Sequence, residues 1–157
     1  MLIPFVKNTR RLFLKGRMQD MTPDTDSTYA QTTKQITVTV DPVFLEEESD
    51  PGSGLFFWAY HVEIKNNGDD TVQLISRHWR ITNAMGALQE VRGDGVVGEQ
   101  PVLKPGEAFE YTSGTPLSTS SGIMGGNYHM ISSGGRTFDI NIPTFSLDSP
   151  YEGHVVH

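Results

Sequence analysis

The sequence predicts an all-β domain, an antiparallel β-sandwich of about seven or eight strands. From Gln35 onward, short β-branched and aromatic segments are separated by clusters of Gly, Pro, Asn and Asp. One of these segments, residues 55–65, alternates with period two, so that Phe56, Trp58, Tyr60, Val62 and Ile64 share one face. No amphipathic helix of useful length interrupts the series.

The elements follow in order. Ile36, Val38 and Val40 alternate with Thr37 and Thr39, which makes a half-buried strand, and Pro42 places its far part near an edge or an end because proline cannot donate to a ladder. The acidic run of residues 46–50, closed by Pro51 and Gly52, reads as a solvated loop. Residues 55–65 form the clearest strand, central at its start because Leu55, Phe57 and Ala59 make its second face apolar there. Residues 66–70, Asn-Asn-Gly-Asp-Asp, turn the chain. Residues 71–83 are read as its partner strand, with a phase slip that implies a bulge near Leu74 and Ile75. A shorter strand covers residues 88–92. Lys104-Pro105-Gly106-Glu107 is a strong turn sequence. Tyr111 beyond it is a candidate tyrosine corner, with its hydroxyl bonded back to backbone. Residues 123–131 and 137–142 complete the strands, at spacings that suit a sandwich or barrel.

At 157 residues the chain is about one domain long. Its 12 basic and 19 acidic residues give a net charge of -7, which argues against affinity for nucleic acid backbones. The charge is uneven. Residues 1–35 carry Lys7, Arg10, Arg11, Lys15, Arg17 and Lys34 against Asp20, Asp24 and Asp26, so the head is basic and the body strongly acidic. Residues 1–34 read as a flexible basic extension and linker, with Met18 and Met21 as candidate start sites, and residues 35–157 as the folded domain. There is no cysteine, which excludes disulfides, thiolate metal sites and thiol nucleophiles. No run approaches the ~18 apolar residues of a membrane helix, and the N-terminal apolar patches are cut by charges. A cytoplasmic protein without membrane contact is expected.

Gly93-Asp94-Gly95-Val96-Val97-Gly98 spells a dinucleotide-binding fingerprint. That fingerprint works only where a buried strand leads into a helix whose N-terminal amides hold the pyrophosphate. Pro101 and Pro105 leave no room for the helix, and no βαβ unit surrounds the motif. The glycines therefore read as a turn or bulge, with a helix-free anion nest as the remaining phosphate reading. Of the five histidines, none lies at HxH or HExxH spacing; His61, His78 and His129 can meet at a metal with Glu63 only if their strands are neighbours. Residues 118–121 are serine-rich but lack a nucleophile elbow and a base. The acidic pairs read as turn charges and the aromatics as core.

Arg77-His78-Trp79-Arg80-Ile81, the GDGVVGEQP of residues 93–101 and the LKPGEAFEYTSG of residues 103–114 closely resemble ApaG proteins. Met124, Gly126, Tyr128 and the FDINIPTF of residues 138–145 extend the resemblance, which covers residues 35–157. It implies an immunoglobulin/fibronectin-III-like sandwich without catalytic residues, in a family where partner binding is the usual proposal. It also implies why pyrophosphate has been linked to the glycine motif, since bacterial members share an operon with a diadenosine tetraphosphate hydrolase.

The leading expectation is a non-enzymatic protein–protein interaction module that needs no cofactor and no metal. Its partner patch is Arg77, His78, Arg92, Gly93, Gly95, Gly98 and Gln100. Two alternatives stand beside it. One is a binder of nucleotide polyphosphates using the Gly93, Gly95 and Gly98 amides with Arg92 or Arg77 as counter-charge; the other is a divalent-metal protein, linked to cation homeostasis, using His61, His78 or His129. The expected partner is a protein, and the sequence leaves a homodimer open.

Overall fold

The structure is a computed structural model and describes residues 6–7 and 28–151. Its strands are β1 (Val6–Lys7), β2 (Tyr29–Thr33), β3 (Ile36–Phe44), β4 (Phe56–Asn66), β5 (Val72–Asn83), β6 (Leu88–Asp94), β7 (Val102–Leu103), β8 (Ala108–Leu117), β9 (Ser121–Ser132) and β10 (Thr137–Asp148). The first sheet has the order β1-β8-β4-β3-β2 and the second the order β10-β9-β5-β6, with β7 also paired to β5. Every pairing is antiparallel. The all-β sandwich is therefore as predicted, and eight strands have five residues or more.

Period two explains the core. Phe56, Trp58, Tyr60, Val62 and Ile64 of β4 and Ile36, Val38 and Val40 of β3 meet Leu74, Trp79, Met124, Met130, Ile140 and Phe145 of the facing sheet. Burying each large apolar side chain contributes roughly 1.5–3 kcal/mol. Trp79 sits at the centre, with ring centroids 5.1 Å from Tyr60, 6.2 Å from Phe145 and 6.5 Å from Tyr128. Pro42 lies past Val40, the last β3 residue that β2 reaches, so its missing N–H costs no ladder bond.

Three expectations need correction. Residues 29–33, read as linker, form β2 and pair with β3 through Thr33 and Ile36. The two-residue turn between them is Lys34-Gln35, with φ of 49° and 69°. This is a hairpin turn in which Gly or Asn is usual, so the sequence carried no turn signal there. Residues 71–83 do not pair with residues 55–65, because β5 lies in the other sheet. The connection is fixed by Asn66, whose buried side-chain amide donates to the carbonyls of Asp70 at 2.7 Å and Leu103 at 3.0 Å. Finally, Tyr111 is not a corner. Its hydroxyl meets that of Tyr128 at 2.6 Å, fully buried between the sheets. The bulge near Leu74 and Ile75 is present, as a register shift against β9 between Leu74 and Ser76.

Candidate interaction surface

The glycine motif begins inside β6 and ends in a tight hairpin. Gly93 pairs with Arg77 in the β5 ladder, and Gly95 donates its N–H to the Ile75 carbonyl at 2.8 Å. Val96 and Glu99 then exchange two backbone hydrogen bonds of 2.8 Å, leaving Val97-Gly98 as a two-residue turn with φ of 41° and 81°. Both angles are positive, as the twist of a two-residue hairpin requires. A β-branched residue rarely occupies that region, and Val97 stores strain of order 1–3 kcal/mol. The turn reading of the glycines therefore holds. Of the three amides the anion-nest reading draws on, that of Gly95 is spent on the ladder and Gly93 is itself a paired strand residue.

Arg77 supports this hairpin from below. It lies on the same face of β5 as buried Trp79, and its charge reaches the buried Tyr60, Tyr111 and Tyr128 hydroxyls. Its Nη1 donates to the carbonyls of Asp94 at 3.0 Å and Gly95 at 2.9 Å. A Cβ on Gly93 would stand 2.8 Å from that same Nη1, so glycine is what lets the guanidinium pass. Gln100 completes the clamp by donating to the Ile75 carbonyl at 2.9 Å. Arg77 and Gln100 thus hold the loop's own backbone. Arg77 is a positioning residue for the hairpin.

His78 and Arg92 lie in one row, directly paired across β5 and β6, on the outer face of the second sheet. His78 Nε2 is 2.6 Å from Glu90 Oε1, which also accepts from Arg92 Nη2 at 3.1 Å. Arg80 Nη1 stands 3.4 Å from His78 Nδ1; since guanidinium only donates, Nδ1 accepts and Nε2–H points at Glu90. The hydrogen bond from His78, and the charge of Arg92 after it, hold the Glu90 carboxyl below its ordinary range. Next to this cluster, His129 Nδ1 and Asp139 Oδ1 meet at 2.7 Å. A shallow depression of about 480 Å³ joins the two clusters, lined by Ser76, Arg77, His78, Arg92, Gly93, Asp94, Asn127, His129 and Asp139.

Four of the seven sequence-predicted residues, Arg77, His78, Arg92 and Gly93, line that depression. Gly95, Gly98 and Gln100 belong to the adjoining hairpin. Asn127 and Asp139 were missed; each pairs with its neighbour through strand register, which one sequence does not display. His61 is elsewhere: it belongs to β4 in the opposite sheet, 2.8 Å from both Glu110 Oε1 and Thr112 Oγ1. The three histidines therefore do not meet, and no group of three metal-binding side chains occurs among the described residues.

Two facing antiparallel sheets, a tyrosine bridge between them and a fixed glycine hairpin on the second sheet define a fibronectin-like sandwich domain. The family model for the ApaG domain matches residues 46–132. Protein ApaG of Paramagnetospirillum magneticum is 62% identical over 124 residues, covering 79% of this chain and 95% of the relative. Protein ApaG of Methylorubrum populi is 60% identical over 129 residues, covering 82% of this chain and 99% of the relative. The crystal structure of an ApaA protein from Bordetella pertussis superposes with a TM-score of 0.72 at 50% identity, covering 73% of this chain and 94% of that one. The chain belongs to the ApaG family. No helix among the described residues is long and apolar enough to cross a membrane.

Proposed function

We propose that this chain is a non-enzymatic, cytoplasmic interaction module that binds a protein partner on the outer face of its second sheet, beside the glycine hairpin. One observation carries the reading: a strained Val97 turn, clamped from within by Arg77, stands next to a shallow polar depression flanked by two histidine–carboxylate pairs. Strain in a surface turn persists only where the surroundings over-determine it, and such turns cluster at recognition and functional sites. His129 and Asp139 bond to each other and His78 and Arg92 to Glu90 at the rim, an arrangement that suits a shape read by a partner's polar surface. Loops and faces of rigid sandwiches supply binding surfaces of this kind.

The testing variant changes His78, Asn127 and His129 to alanine together, leaving the Arg77 and Gln100 hairpin clamp untouched. In partner capture from native cells, this protein is expected to lose the partners that wild type retains. A control changed at Thr37 and Thr39, on β3 of the opposite sheet, is expected to keep them. Full retention by the triple variant would overturn the reading.

A further inference from the structure

We propose that β6 is a self-association edge: two copies of this chain pair antiparallel about a two-fold axis through Val91, fusing their second sheets into one. The proposal concerns the edge of the sheet, whereas the partner reading concerns its face, so each can fail alone.

Among the described residues β6 ends the second sheet, and five of its seven residues are exposed. An unpaired edge of this length is a template for another strand. The direction of its hydrogen-bonding groups follows from the ladder. Asn83 N–H bonds the Ala87 carbonyl at one end, and Gly95 N–H bonds the Ile75 carbonyl at the other. Hydrogen-bonded and non-bonded pairs alternate between these points. Gln89, Val91 and Gly93 consequently turn their backbone groups toward β5, while Leu88, Glu90, Arg92 and Asp94 turn theirs to the open edge.

A two-fold axis through Val91 pairs Leu88 with the partner's Asp94 and Glu90 with the partner's Arg92, each twice. All four outward residues are then used, which makes about eight backbone bonds. Glu90 and Arg92 share the outer face, as their mutual 3.1 Å contact shows, so the pairing also sets opposite charges against each other across the axis. The neighbouring registers of the same parity do the reverse. An axis through residue 90 sets Glu90 against the partner's Glu90. An axis through residue 92 sets Arg92 against the partner's Arg92 and Glu90 against the partner's Asp94. Like charges directly opposite are destabilising, so one register is selected and its neighbours rejected.

Sedimentation equilibrium from low micromolar to near-millimolar concentration tests this on the full chain. Wild type is expected to dimerise, and Glu90→Arg or Arg92→Glu alone to weaken self-association by more than about tenfold. An equimolar mixture of the two variants is expected to restore a heterodimer, because one then presents two arginines to the other's two glutamates. Wild type that stays monomeric throughout, single variants that still dimerise, or a mixture that does not associate would each overturn the proposal. A second measurement does not depend on the charge variants. The chain has no cysteine, and Val91 is the one β6 residue that meets its own copy. Val91→Cys is therefore expected to cross-link two chains under mild oxidation far more readily than Gln89→Cys. Equal cross-linking at the two positions would contradict the register.

Discussion

Tyr111 and Tyr128 each carry a hydroxyl that the core admits only because the other is there. Burial raises both above the ordinary phenol range, foremost among the causes, so each stays a neutral donor and acceptor. Removing one partner leaves the other unsatisfied, at a cost of about 1–3 kcal/mol, while removing both leaves no orphan. Urea unfolding is expected to show Tyr111→Phe and Tyr128→Phe each clearly destabilised, and the double variant less so than their sum. Glu63 makes an opposite case on the outer face of the first sheet. Burial first, and then the facing Glu110, raise its carboxyl above 4.5. A folded-state pKa raised in this way favours the protonated form, so its contribution is fully present below the unfolded value and lost as pH rises through the folded one. Glu63→Gln is therefore expected to raise the melting temperature at pH 7, with the gain disappearing below about pH 4.5. At this scale the inward positions of β4 were legible, because alternation is a local property. The partner of Tyr111 was not, because it comes from another sheet.

The second sheet depends on close approaches between β9 and β5, the tightest of them at Gly126. A Cβ on Gly126 would run into the His78 carbonyl of β5, whereas a Cβ on neighbouring Gly125 meets chiefly the Thr144 hydroxyl, at 3.0 Å. Backbone cannot yield as a side chain can. Gly126→Ala is thus expected to cost more than about 3 kcal/mol by thermal or urea unfolding, and Gly125→Ala about 1 kcal/mol or less. The Met124, Gly126 and Tyr128 positions that carried the family resemblance are therefore inward positions of β9. Element boundaries were readable where turn chemistry announced them, as at Lys104-Pro105-Gly106-Glu107, where Gly106 has φ of 87°. They were hidden at Lys34-Gln35, which adopts hairpin angles without a glycine or asparagine, and so β2 went unrecognised. The glycine motif was legible as a turn for a related reason: its two following prolines forbid a helix, whatever its spelling.

At the scale of the molecule, the sandwich places His61 on one outer face and His78 and His129 on the other, and brings residues from β5, β6, β9 and β10 to one depression. Which sheet each strand joins is decided by long-range packing. That is why a patch drawn from contiguous sequence captured His78 and Arg92 but omitted Asn127 and Asp139. It is also why Arg77, adjacent in sequence to His78, serves the hairpin from inside while His78 faces outward. The outer face of the second sheet is proposed to recognise a protein partner. The most direct measurement is side-by-side partner capture with wild type, the His78, Asn127 and His129 triple alanine variant, and the Thr37 and Thr39 control, all confirmed folded. Loss of partners by the triple variant alone is the predicted result; retention of every partner by that variant would contradict the claim.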